Sequence, residues 1–279
     1  MDRYQQALNE LYKSISNLKP DKFPGELGLL RTQYCLKLLN NPEKSFAVIH
    51  IAGTSGKGST AYTLASLLTA HGKKTGLFLS PHIVDIRERI SIDGANIGIE
   101  DFSTIYYEVK DIADKIKNTT TLGQLTFFEI LTIMALVYFK QQKVKYVVLE
   151  TGLGGAWDAT NAIEDENKIS IITKIGFDHT HILGNSLTKI AGQKSGIISK
   201  HSSVFVLKQK DNVMQVFSQA AKQQEAHLNV VTKFQARDRE LSFIWKRFPE
   251  YIMRSGLYGS HQLENTALAL NCLEYLAKQ

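Results

Sequence analysis

The stretch HIAGTSGKGST, His50–Thr60, places a lysine and several hydroxyls in a run of glycines. An apolar run precedes it and helix-forming residues follow. Backbone N–H groups of such a turn can surround a phosphate, and the helix N-terminus adds a favourable dipole. The candidate phosphate contacts are Gly53, Thr54, Ser55, Gly56, Lys57, Gly58, Ser59 and Thr60. Lys57 supplies a point charge for β- and γ-phosphates, and a hydroxyl at Ser59 or Thr60 can hold magnesium. The strict spacing GxxxxGK followed by Ser or Thr fails twice, with Ile51 at the first glycine and Gly58 at the hydroxyl position. An ordinary tight turn is the competing reading, and the strand–turn–helix context favours the phosphate.

Two further stretches carry chemistry. In YVVLETGLGGAWDATN, Tyr146–Asn161, an apolar strand ends at Glu150 and a glycine-rich loop follows. Ligands of open α/β sheets lie beyond the carboxyl ends of strands, so Glu150 is expected to face the phosphate loop as a magnesium ligand. A solvated carboxylate at a capped strand end is the alternative. In Ile172–Ser199 another strand runs into a loop holding Asp178, His179 and His181, which could join a second magnesium site. Lys194 follows a short helix there, and a lone lysine is ordinarily a solvated charge.

These residues need a scaffold, and the pattern of the chain supplies one. Helices are expected over Tyr4–Leu18, Leu29–Leu39, Lys57–His71, Ile99–Ile116, Thr126–Gln142 and Gln262–Ala277. A turn at Leu18–Gly28 separates the first two. Strands are expected at Phe46–Gly53, Lys74–Ser80, Lys145–Glu150 and Ile169–Ile175, with a hairpin at Arg87–Ile97 around Asp93-Gly94. After Ser203 the pattern runs strand, helix, strand, then polar alternation through ARDRELSFIWKRF. The fold class is therefore α/β: a mostly parallel sheet flanked by helices, with a small antiparallel β part near 230–258.

The 279 residues include 43% hydrophobic and 22% charged residues, ordinary for a globular protein. The net charge of +6 suits small anionic ligands, and no Lys/Arg run interleaved with aromatics marks a nucleic-acid groove. Cys35 and Cys272 form no CxxC pair, which fits reduced thiols in a cytoplasmic protein. The stretch Thr126–Phe139 is too short to span a membrane and contains Glu129. Neither a nucleic-acid nor a membrane partner is expected.

The stretches GTSGKGST, Ser80–His82 (SPH), Thr126–Thr132 (TFFEILT), LETGLGG with DATN, FDHTHILG and Gly259–Leu270 (GSHQLENTALAL), in this order, resemble the folylpolyglutamate synthase/dihydrofolate synthase group of the Mur ligase family. The resemblance implies a phosphate-loop NTPase-like central domain over 1–279. It implies an ATP-dependent ligase whose partners are small molecules: ATP, a folate or dihydropteroate, and L-glutamate. The acceptor carboxylate is phosphorylated, and the amino group of glutamate attacks the acyl phosphate. By the same resemblance Lys57 contacts the β/γ-phosphates, Ser59 and Glu150 hold one magnesium, and His179, Glu150 and Ser80 surround a second. Lys194 matches a carbamylated lysine, Thr126, Phe128 and Asp158 match positions near the pterin, and His261 and Asn265 match positions near the ATP base. Lys57, His179 and Lys194 are thus the expected catalytic residues.

The chain departs from the family pattern at Ser55 (Asn), Ala156-Trp157 (Arg-Leu), Asp85 (Arg) and Gln193 (Glu). A second, glutamate-binding domain is expected to be absent from this chain, leaving it weakly active or inactive alone, and a monomer is expected. Competing readings are a cell-wall Mur-type ligase and a non-catalytic nucleotide-binding fragment. A phosphate-loop kinase or GTPase is disfavoured because no NKxD motif occurs.

Overall fold

The computed structural model describes residues 2–16, 24–163, 165–231, 235–237, 240–243, 251–254 and 259–279. In chain order the first elements are α1 (Arg3–Ser16), α2 (Gly25–Leu38), β1 (Ala47–Ala52), α3 (Lys57–Ala70), β2 (Thr75–Phe78), β3 (Ile90–Ile92), β4 (Ala95–Asn96), α4 (Ile99–Thr119) and α5 (Phe127–Gln141). There follow β5 (Tyr146–Glu150), β6 (Ile169–Ile172), α6 (Thr180–Leu183), α7 (Leu187–Ser195), β7 (Ser203–Leu207), α8 (Asp211–Gln223) and β8 (His227–Val231). The last are β9 (Gln235–Arg237), β10 (Glu240–Phe243), β11 (Tyr251–Arg254) and α9 (Ser260–Leu276).

Eight strands form one sheet in the order β4-β3-β2-β5-β1-β6-β7-β8. The six strands from β2 to β8 in that order pair in parallel, and β3 and β4 add an antiparallel edge. Alternate side chains of the strands enter opposite layers, as the two-residue period of a pleated strand requires. Val48, Val147 and Leu149 pack with α4 and α5, whereas Ile49, Ile51 and Val148 pack with α3 and α9. On β7, Val204 and Val206 meet α7 and α8, while Phe205 and Leu207 face α9. Both faces are covered, which is why the strands read as continuous apolar runs.

The strands β9, β10 and β11 form a separate antiparallel sheet, as the polar alternation suggested. Residues 230–231 belong instead to parallel β8, and parts of Ala236–Phe248 lie outside the described residues. Three further expectations need adjustment. Residues 17–23 of the expected turn at Leu18–Gly28 lie outside the described residues, and Gly25–Gly28 is already helical. Gly28 is needed there, because a Cβ would come within 2.7 Å of Glu129 Oε1. The strand expected to reach Ile175 stops at Ile172, because the backbone of Lys174 turns to bridge Ser55. Lys194 does not follow α7; it lies in its last turn.

Candidate functional site

The loop between β1 and α3 is shaped by two glycines. Gly53 has φ +149° and Gly56 has φ +87°, the latter in the left-handed region that suits glycine. A Cβ on Gly56 would lie 2.1 Å from Asn265 Oδ1, so α9 closes directly over the loop. The N–H groups of Thr54 and Ser55 donate to Lys174 O at 3.0 and 3.3 Å, and Thr54 Oγ1 donates to Gly176 O. Those two backbone donors hold the loop rather than a ligand. The donors left to an anion are the N–H groups opening α3, at Lys57, Gly58 and Ser59. Ser59 is half-buried, while Thr60 is fully buried and its Oγ1 has no hydrogen-bond partner among the described residues.

Glu150 ends β5, the strand beside β1, and is 4% exposed. A Cβ added at Gly58 would lie 3.5 Å from Oε1 and 3.6 Å from Oε2, so both carboxylate oxygens face the start of α3. Ser80 N donates to Glu150 Oε2 at 2.8 Å. Burial raises the Glu150 carboxyl above the usual carboxylate range, and the Ser80 N–H, Lys57 and Arg89 oppose that rise. A buried carboxylate held by one backbone donor and facing glycine is a suitable cation ligand. The described residues contain no cluster of three or more His, Cys, Asp or Glu that could hold a metal. The donor set therefore fits magnesium held largely by phosphate oxygens and water, with Glu150 and a hydroxyl completing the shell.

Lys194 is 3% exposed, and its ammonium makes no hydrogen bond with a described residue. Burial and then Lys57 push its pKa down to about 8, while Asp178 and Asp158 act the other way. Its position follows from two close backbone approaches. A Cβ on Gly155 would lie 2.6 Å from Gln193 O, and one on Gly196 would lie 2.4 Å from Ala156 Cβ. Ala156 N donates to Gln193 O, and Asn161 Nδ2 reaches both Ala156 O and Gly196 O. The DATN stretch thus ties the loop after β5 to the end of α7.

His179 caps the one-turn helix α6 with φ +46°, and its exposed ring lies 3.5 Å from Asp178 Oδ1 and stacks edge-on against His181. It hydrogen-bonds to neither Glu150 nor Ser80. His261 is exposed in the first turn of α9, whereas Asn265 is buried against the loop.

Thr126, Phe128 and Asp158 come together in the wall of a cavity of about 450 Å³, with Ser80, Pro81, Arg89, Phe127 and Trp157. Thr126 caps α5 through a reciprocal box with Glu129, and Phe128 packs so tightly on Gly152 that a Cβ there would be 2.5 Å from the ring. Asp158 is 3% exposed and accepts from Leu153 N, Thr160 N and Thr160 Oγ1. His50 Nε2 joins the same network at Thr160 Oγ1, 2.8 Å away. Burial raises the Asp158 pKa against these donors. Arg89 and Trp157 were not read as site residues. Arg89 sits in a charge-rich hairpin segment whose sequence carries no sign of burial.

The Mur ligase middle domain matches residues 103–273. The chain belongs to the Mur ligase family. It is 35% identical over 267 residues to a dihydrofolate synthase/folylpolyglutamate synthase of Bacillus subtilis, covering 92% of this chain and 61% of that one. A folylpolyglutamate synthase of Arabidopsis thaliana is 37% identical over 276 residues, covering 97% and 46%. Among solved structures, a Mycobacterium tuberculosis folylpolyglutamate synthase complexed with ADP superposes with a TM-score of 0.87 at 30% identity, covering 99% of this chain and 62% of that one. An FPGS–AMPPCP–folate complex gives a TM-score of 0.87 at 26% identity, covering 99% and 67%. The chain thus spans between about half and three fifths of the length of these curated relatives. Among its described residues no helix is long and apolar enough to cross a membrane.

Proposed function

We propose that this chain supplies the nucleotide- and acceptor-binding part of an ATP-dependent ligase joining L-glutamate to dihydropteroate or a reduced folate. One observation carries the reading. The Glu150 carboxylate borders Gly58 of the phosphate loop on one side and is held on the other by Ser80, which lines the apolar cavity. A triphosphate on the loop and an acceptor carboxylate in the cavity would meet there. The relatives named above, and the nucleotide and folate complexes among the solved structures, support the same chemistry.

A carboxylate is a poor electrophile, so an acceptor oxygen attacks the γ-phosphorus and the bond to ADP breaks. The amine of glutamate then attacks the acyl carbon, a C–N bond forms, and phosphate leaves as the amine loses its proton. Magnesium, when bound, neutralises the charge of the transferring group. In this reading Lys57 and the N–H groups of Gly58 and Ser59 orient the phosphates, with Gly53, Thr54, Ser55, Gly56 and Thr60 forming the loop. Asn265 and His261 stand beside the nucleotide. Ser59 and Glu150 are the proposed ligands of one magnesium, and Ser80, Glu150 and His179 those of a second, for which His179 would have to turn away from Asp178. Lys194, whose lowered pKa favours the free amine, would add CO₂ to give a carbamate and release a proton. Thr126, Phe128 and Asp158 flank the pterin. We further propose that residues 1–279 act as one nucleotide-binding unit, as a monomer, in the cytoplasm.

Glu150→Gln tests the reading. Titration calorimetry should show magnesium-dependent ATP binding in the natural chain and at least a tenfold loss in the variant. Unchanged magnesium dependence would remove Glu150 from the site. With the C-terminal part of a folylpolyglutamate synthase relative added, absence of ADP release with ATP, glutamate and either pteridine acceptor would sink the ligase assignment.

A further inference from the structure

Arg89 lines the acceptor cavity, and it differs from Arg31 and Arg87 in one respect. Arg31 is paired bidentately with Glu129, Nε and Nη2 lying 2.6 and 2.8 Å from the carboxylate oxygens. Arg87 is paired with Asp85, its Nε donating to Oδ1 and Oδ2 and its Nη2 to Oδ2. Arg89 has no carboxylate within ion-pair distance among the described residues, although it is 8% exposed. Its Nε donates to His82 Nδ1 at 2.9 Å, and its guanidinium lies 5.5 Å from the centroid of the Phe127 ring. No described residue accepts from its terminal nitrogens.

Glu150 acts on Arg89 through space but forms no ion pair with it, and a buried guanidinium with no directly paired carboxylate is costly to keep. The carboxylates of the cavity wall form no ion pair with it. Glu129 is committed to Arg31, and Asp158 is saturated by the donors of its own loop. Arginine presents a planar fork matched to a carboxylate, and stacking on an aromatic ring plus one fixed Nε bond pre-sets the direction of that fork. The acceptor of His82 must be Nδ1, because a guanidinium only donates. His82 is therefore neutral beside Arg89, in line with the downward shift that burial and Arg89 impose on it.

We propose that Arg89 is the carboxylate-recognising residue of the cavity, its fork aimed by His82 and Phe127 so that it holds an acceptor carboxylate next to Ser80 and Glu150. Arg89 is then a specificity-determining residue. It selects acceptors with an anionic group at that end over neutral ones of the same shape, and the apolar wall takes the aromatic body. The inference rests on the proposed pteridine acceptor and adds the group that reads its charge.

The test compares dihydropteroate with its carboxamide, binding followed by pteridine fluorescence on the whole 279-residue chain. The natural chain should bind the carboxylate at least tenfold more tightly than the amide. Arg89→Gln should bring that ratio close to one, and Arg89→Lys, which keeps the charge without the fork, should give an intermediate ratio. Circular dichroism melting checks folding, and the lysine variant carries the test if the glutamine variant does not fold. A ratio left unchanged in either folded variant overturns the role of Arg89 while leaving the pteridine reading intact. Failure of the natural chain to bind carboxylate and amide alike overturns the pteridine reading, and this proposal with it.

Discussion

Lys194 illustrates how far burial moves a single residue from its sequence appearance. Read in the chain it is one lysine among many, and in the fold it is 3% exposed with a pKa near 8. Its ordinary value is 10.5, so between about pH 8 and 10.5 the unfolded chain holds a proton that the folded chain has released. Stability should therefore rise with pH across that window, and the full penalty, on the order of 3 kcal/mol, applies below pH 8. Lys194→Met is expected to flatten the rise and to stabilise the chain at neutral pH. Urea unfolding at pH 7 and pH 10 in CO₂-free buffer measures both effects, and an unaltered pH slope in the variant would refute the assignment. The phosphate loop was legible because glycine spacing is a local property. The burial of Lys194 and Arg89 was not, because it depends on segments far away in sequence.

At the scale of elements, two contacts set the positions of the site. The Arg31–Glu129 pair joins α2 to α5, with side chains 7% and 2% exposed, and Glu129 also completes the cap at Thr126. Arg31→Met would leave Glu129 buried without its cation, at a cost of roughly 3–5 kcal/mol. Denaturant midpoints should record it, and a loss below about 1 kcal/mol would show that the pair is dispensable. The glycine contact between the loop after β5 and α7 makes a different demand. Gly155→Ala puts a methyl 2.6 Å from Gln193 O, so the end of α7 must shift, and Lys194 with it. The variant is expected to lose about 1–3 kcal/mol. It should also move the Lys194 titration towards its ordinary value, readable by NMR of the labelled lysine. The sequence disclosed α5 through its long apolar run, whereas the box between Thr126 and Glu129 that caps it emerged only with the fold. It concealed the start of α2, where Gly25 and Gly28 read as a turn and packing against Glu129 overrides propensity.

For the molecule as a whole, the sheet was readable from the apolar runs of β1, β5 and β6, each bounded by glycine or a polar residue. The order of the strands was not, since pairing between distant segments leaves no local trace. That order brings the ends of β5, β1 and β6 side by side, so Glu150, the phosphate loop and Lys174 meet without any long loop reaching across. A nucleotide bound there contacts three central strands and should stabilise the entire fold. At a hundredfold excess over Kd the gain is about 2.7 kcal/mol, or roughly 5–10 °C in melting temperature. Scanning calorimetry with and without magnesium ATP checks this, and a shift confined to a minor transition would contradict a single cooperative unit.

The central place of β1 also bears on how the chain is made. Residues 47–52 have their two partners at 146–150 and 169–172, so almost 100 residues separate β1 from the first of them. While a ribosome delivers the intervening segment, the β1 edges and the glycine turn after it have no neighbours to pair with. A sheet assembled from such distant pairs forms slowly and passes through species with open strand edges. Folding during synthesis must wait until β6 has emerged, and in that interval this chain has the most to gain from a chaperone.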